Sequence, residues 1–352
     1  MKFLRGLTVL GLLALASMQV NAHHAWAAIF DADGDIEIEG VVTEVLWRNP
    51  HVQMLITTDP GTPEEVVWTI ESNAVSRLTP MGVTADVLPI GAPVKIAGLP
   101  SLQGKNEIFL NNILLPDQTE VLMSRTVGRR WTDEAGAVIG DVTVLHGSVI
   151  EEDYSKRPAT VFGVWNTIYD AEGSHRSVVR ASDDWTDHAL AFQEQQRAAG
   201  LGGRPDRHDC SPRTSTGALF QPYPKELVDL GDTIEIRAEF LDTYRTVYMD
   251  PTKAIPAEIP KDHLGYSRGH WLGDTLAVET IIYREGGIDG DDYMQVHETF
   301  SLSADHNRLS YTHLTIDPLM RKTPRMDQRW WQHTPGAVLQ RYDCAGAITL
   351  GE

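Results

Sequence analysis

IEIEGVVTEVLW, residues 36–47, alternates apolar with polar side chains and passes a glycine on the way. That alternation is the signature of a half-buried β-strand, and an internal glycine marks a bend or a close backbone approach. Downstream come HVQMLITT (51–58), a turn at Asp59-Pro60-Gly61-Thr62-Pro63, then EVVWTIES (65–72). Residues 72–78 read as a brief helix, PVKIAG (93–98) as a further strand, and NEIFLNNILL (106–115) closes the set. Five or six short strands with one helical interruption predict a small barrel of the OB type over residues 23–118.

Beyond it, residues 119–158 show no clean period; MSRTVGRRWTDEAG (123–136) reads as connector. Residues 159–352 are again β-rich: ATVFGVWNTIYD (159–170), SVVRAS (177–182), DTIEIRAEFLDTYRTVYMD (232–250), HWLGDTLAVETIIY (270–283), VHETFSLS (296–303), NRLSYTHLTID (307–317) and AVLQRYDC (337–344). Their β-branched and aromatic content, with Gly, Pro, Asp and Asn between them, supports strands and turns. DDWTDHALAFQEQQRAAG (183–200) has an Asp cap, helix formers and a Gly stop, and predicts a helix. The expectation is a mainly β chain, an OB-like barrel followed by a larger antiparallel barrel or curved sheet of lipocalin-like kind.

Residues 1–22 read as a secretory signal. Lys2 and Arg5 precede an uncharged apolar run too short for a comfortable membrane span, and Val20 and Ala22 suit a peptidase cutting before His23. A periplasmic or secreted protein is expected, with no membrane span after signal removal. The net charge of −19 becomes −21 without Lys2 and Arg5, which argues against nucleic acid as a partner. Cys210 and Cys344 sit in no CxxC pattern, and in an oxidising compartment they are expected to form a disulfide.

With that cut, the chain starts His23-His24-Ala25-Trp26. An N-terminal histidine offers a metal its α-amine and its imidazole Nδ1 together, and two such nitrogens suit Cu(II). His51, in Trp47-Arg48-Asn49-Pro50-His51, is the candidate third ligand. The arrangement resembles the histidine brace of lytic polysaccharide monooxygenases and of some periplasmic copper carriers, in the brace alone. The opposing reading is a mere exposed terminus. Peptide copper motifs more often carry His at the third position, here Ala25.

Residues 22–115 resemble a widespread uncharacterised group of small exported bacterial proteins. The resemblance rests on Ala22-His23-His24, Phe30-Asp31, Gly40-Val41-Val42-Thr43-Glu44, Trp47-Arg48-Asn49-Pro50-His51 and Trp68-Thr69-Ile70-Glu71, with Ala25 where the group has Ser. It implies export and a site at the histidines, and it carries no established activity over to this chain. Residues 161–344 resemble a second uncharacterised exported β-rich group through Gly265-Tyr266-Ser267 and Trp271-Leu272-Gly273-Asp274-Thr275-Leu276.

If the second barrel encloses a pocket, Tyr248, Asp250, His270, Glu279, His297 and His313 are its candidate acid–base groups, set against the plainer reading of solvated strand faces. DADGDIEIEG fails as a calcium loop, since Ile36 and Val42 stand where Gly and Glu are needed. No GxSxG, HExxH, Walker or dinucleotide fingerprint occurs, so no nucleotide cofactor is expected. Three classes remain: an exported copper-binding protein using His23, His24 and His51; an acid–base enzyme acting on a small, largely apolar molecule; and a non-catalytic binder of hydrophobic ligands.

Overall fold

The computed structural model describes residues 29–141, 158–168, 184–198, 213–250, 252, 255–256, 258–283 and 293–343. His23, His24, Cys210, Cys344 and the expected strand at 177–182 lie outside the described residues.

The first barrel uses β1 (Ile36–Leu46), β2 (Gln53–Thr58), β3 (Val66–Glu71), β4 (Pro93–Pro100) and β5 (Glu107–Leu114), with α1 (Val75–Leu78) between β3 and β4. The pairing order β3-β2-β1-β4-β5 is closed by β3 against β5. That last pair is parallel and the others are antiparallel. Five strands in this order, with a helix after the third, form the small OB-like barrel expected from the alternation. In β2 the alternation is direct: Met54 and Ile56 are fully buried while Gln53 and Leu55 are half-exposed. Met54, Ile56, Ile70, Ile96, Ile108 and Leu110 fill the barrel, each stabilising it by about 1.5–3 kcal/mol through burial.

The segment read as connector adds β6 (Glu120–Leu122) and β7 (Val138–Ile139) to this sheet. Val121 and Met123 enter the barrel core, but this apolar run is only a few residues long and the rest of the segment is held by polar contacts, so no period betrayed it. Buried Glu120 accepts from the backbone N–H groups of Arg130, Trp131 and Thr132 and from the Asn112 amide. Arg130 then reaches back to Asp35 and Glu37 of the barrel.

The second barrel is a closed ring of nine strands. They are β8 (Gly163–Thr167), β9 (Lys225–Asp229), β10 (Thr233–Ala238), β11 (Thr243–Tyr248), β12 (Tyr266–Leu272), β13 (Thr275–Tyr283), β14 (Tyr293–Leu302), β15 (Arg308–Ile316) and β16 (Arg325–His333). The ring runs β10 through β16 in order and returns by β8 and β9. Every adjacent pair is antiparallel except β11–β12. The expected helix appears as α2 (Asp187–Ala198), and α3 (Ser215–Leu219) contributes Ala218 and Leu219 to the barrel core.

Three stretches differ from the sequence expectation. Residues 232–250 form a hairpin, β10 and β11, turned at Leu241 and Asp242 with φ of 56° and 44°. Residues 270–283 also fold back, with Leu272 paired to Thr275 across Gly273-Asp274. Gly273 has φ +60°, as a two-residue hairpin with glycine at its first central position requires. Residues 337–343 form no strand and make one bridge, Tyr342 to Asn49.

That bridge belongs to the junction between the barrels. Asn49 is fully buried and bonded through both side-chain polar atoms and its backbone carbonyl. Its amide donates to Glu239 at 2.8 Å, its side-chain oxygen accepts from Val75 N–H at 3.0 Å, and its backbone carbonyl accepts from Asp343 N–H at 3.1 Å. Glu239 takes a second bond from Gln340 N–H at 2.7 Å, and Arg48 pairs with Asp343 at 2.7 Å. Burial pushes the Glu239 carboxyl above its ordinary pKa.

Candidate functional site

Two regions concentrate chemistry. The first is His51, just before β2. Its ring is a quarter exposed and stands edge-on to Phe109, centroids 6.5 Å apart. Nδ1 lies 2.7 Å from the Ser72 carbonyl and 3.4 Å from a Glu71 carboxylate oxygen. Both are acceptors, so Nδ1 carries the proton and Nε2 presents a lone pair. A carbonyl or carboxylate fixing one ring nitrogen is how proteins orient a histidine for metal binding through the other. Burial lowers the His51 pKa, opposed by the Ser72 bond, which favours the neutral, ligating form.

Phe109 also packs on Phe30, centroids 5.6 Å apart, and Leu102 N–H donates to the Ile29 carbonyl. The N-terminal arm is therefore anchored about 12 Å or less from the His51 ring. His23 precedes Phe30 by seven residues, an extended reach of roughly 25 Å. Among the described residues no group of three or more His, Cys, Asp or Glu is placed to hold a metal ion. A site at His51 thus needs ligands from outside them.

The second region is the interior of the nine-stranded ring. Cross-strand register sets its side chains in rows: Val278, Glu298, His313 and Asp327 in one, Leu276, Phe300, Tyr311 and Arg329 in the next. Glu298 and Arg245 form a fully buried pair across the lumen, Arg245 reaching the two carboxylate oxygens at 2.5 and 3.1 Å. Tyr311 donates to the same carboxylate at 2.8 Å, and Thr280 donates to Arg245's partner oxygen at 3.3 Å. Burial alone would raise the Glu298 pKa, but Arg245 and Tyr311 hold it below the ordinary value. Burial, with Glu298 alongside, pushes the Tyr311 phenol far up.

Of the six acid–base candidates, His313 faces this interior. It is buried, its Nε2 is 3.5 Å from Asp327, and its ring stacks on Phe220 at 4.7 Å. Burial lowers its pKa against the pull of Glu298 and Asp327. The other five are elsewhere. His270 and His297 are exposed on the outer face, opposite Ala277 and Glu279. Glu279 pairs with Arg268 there, at 2.6 Å. Tyr248 stacks on Tyr266 at 5.2 Å, and Asp250 accepts from Thr252 in an exposed turn. The structure therefore brings His313 together with Glu298, Arg245, Tyr311, Asp327 and Lys225, none of which the sequence singled out as a site residue. The signal existed: Val296, Glu298 and Phe300 are in phase, as are Arg245 with Val247 and Tyr311 with Leu309.

Residues 11–109 match a family described as a family of unknown function (DUF6152). The match covers β1 to β4 and the start of β5, and it agrees with the uncharacterised character of the group that the N-terminal motifs resemble. No curated protein matches the chain. Among the described residues, no helix is long and apolar enough to cross a membrane.

Proposed function

We propose that this is an exported, periplasmic metal-binding protein whose first barrel holds copper through His23, His24 and His51. The observation that carries the reading is the His51 ring. Its Nδ1 is committed to Ser72 and Glu71, and its Nε2 is left as a ligand. The anchoring of Phe30 on the ring that touches His51 adds reach: the arm is long enough to bring an N-terminal amine and imidazole to that nitrogen. Three imidazoles and an amine make an all-nitrogen donor set of the kind that Cu(II) favours. The Trp-x-Asn-Pro-His motif then has two duties, with Asn49 fastening the barrels and His51 offering the ligand.

The test is mass spectrometry of the mature N-terminus followed by copper titration, read by metal analysis and electron paramagnetic resonance. A chain starting at His23 is expected to bind one copper with nitrogen hyperfine structure. His51→Ala should weaken binding at least tenfold, and one extra residue before His23 should do the same by removing the chelating amine. Copper affinity unchanged by either alteration would end the proposal.

A further inference from the structure

Glu71 ends β3 on the parallel seam of the small barrel, opposite Phe109. It is 8% exposed, and one of its carboxylate oxygens stands 3.4 Å from His51 Nδ1. That nitrogen already has a nearer acceptor, the Ser72 carbonyl at 2.7 Å. The carbonyl alone is enough to fix the tautomer and leave Nε2 as the ligating atom. What the carboxylate adds is a full negative charge, held in place behind the ring. An opposing charge comes from α1: burial lowers the His51 pKa, and the Arg77 guanidinium lowers it further.

A charge behind the ring acts on whatever Nε2 holds. A metal bound there would stand at most about 8 Å from the Glu71 oxygen, with the imidazole between them. Cu(II) carries one more positive charge than Cu(I), so a fixed anion at that distance favours the cupric ion. With screening of the kind found near a protein surface, one unit of charge at this separation changes affinity by about tenfold or more. The ring itself transmits a second effect of the same sign, because a carboxylate behind an imidazole raises the basicity of its ligating nitrogen. Soft sulfur donors would pull the other way, towards Cu(I), and the ligand set of His23, His24 and His51 contains none.

We propose that Glu71 is a positioning residue that biases the copper site towards Cu(II), lowering its reduction potential by acting through His51. This inference rests on the copper site proposed above and deepens it, by assigning the oxidation state that the site is built to keep. The small barrel is then a holder of cupric ion that resists one-electron reduction, and not a carrier of Cu(I).

The experiment uses the full exported chain loaded with one copper, alongside His51→Ala, Glu71→Gln and Glu71→Asp. Affinities for Cu(II) and Cu(I) are measured by competition with chelators selective for each state, and the potential of the couple by voltammetry. Wild type is expected to hold Cu(II) more tightly than Cu(I). Glu71→Gln, which keeps the shape and removes the charge, should lose at least tenfold more affinity for Cu(II) than for Cu(I). For one electron, that difference raises the potential by about 59 mV or more. Glu71→Asp keeps the charge and should recover most of the difference. A purely structural role for Glu71 would weaken both oxidation states alike, and that result overturns the proposal. So does a wild-type chain that holds Cu(I) more tightly than Cu(II), a result that needs no variant to fold. In both cases copper bound through His51 leaves the underlying site standing. A chain that binds no copper, or whose affinity ignores His51→Ala, ends that site and this inference with it.

Discussion

Glu298→Gln tests whether the large ring is organised around its buried ion pair. The substitution keeps volume and removes charge, leaving Arg245 enclosed with the Thr280 hydroxyl as its other side-chain partner, at 3.0 Å. Removing one member of a buried pair costs about 3–5 kcal/mol, because the remaining charge has lost its counter-ion and cannot reach water. For a domain of this size each kcal/mol shifts the midpoint by about 2–4 °C, so a fall of roughly 6–20 °C is expected. Near-ultraviolet circular dichroism follows the barrel directly, since Trp165 and Trp331 are fully buried in it. The double variant Arg245→Met/Glu298→Leu should recover much of the loss, which identifies the stranded charge as the cause. Acid supplies a second check. The Glu298 pKa is held below its ordinary 4.5, so its contribution is complete above that value and is lost as pH falls through the lower folded value. The gap between wild type and Glu298→Gln should therefore narrow below about pH 4.5. A Glu298→Gln loss under about 1 kcal/mol, or losses that simply add in the double variant, would refute the reasoning.

Two other perturbations follow from the geometry. Glu239→Ala strands the buried Asn49 amide and should cost about 1–3 kcal/mol in urea unfolding. Because burial raises the Glu239 pKa, the folded state binds the extra proton. Wild-type stability from this group should decline as pH rises above 4.5 through the folded value, and the variant should lack that slope. Gly265→Ala should be far worse than Gly273→Ala. Both glycines have positive φ, but a Cβ on Gly265 would sit 2.1 Å from the Ile281 carbonyl oxygen while one on Gly273 meets nothing within 4 Å. The second change should cost about 1–2 kcal/mol and the first clearly more; equal melting temperatures would contradict the packing.

The small barrel was legible because its strands obey alternation, with Met54 and Ile56 inward and Gln53 outward. Strand β16 was not, because its inward positions Arg325, Asp327 and Arg329 are charged and read as a solvated face. The β10–β11 turn was hidden for another reason: Leu241 and Asp242 adopt left-handed backbone without the glycine or asparagine that usually announces it. At the candidate sites, His51 and His313 were visible as residue types. Which of His297 and Glu298 turns inward is a matter of phase with Val296 and Phe300, and two adjacent polar residues give that phase no chemical emphasis. The partnership of Arg245 with Glu298 joins β11 to β14 across the lumen, a distance in sequence that no local pattern encodes.

Closure by an odd number has a cost of its own. Up and down directions cannot alternate all the way round five strands or nine, so each ring must contain a mismatch in which two neighbours run the same way. In the small ring that mismatch is β3–β5, where Glu71 sits opposite Phe109 beside His51; in the large one it is β11–β12, joined at Val247–Ser267 and Tyr248–Arg268. Parity thus forces each cylinder to carry one seam, and in the large one it is only two residue pairs long. Amide exchange should escape first along that line, two residues from the arginine that spans the lumen.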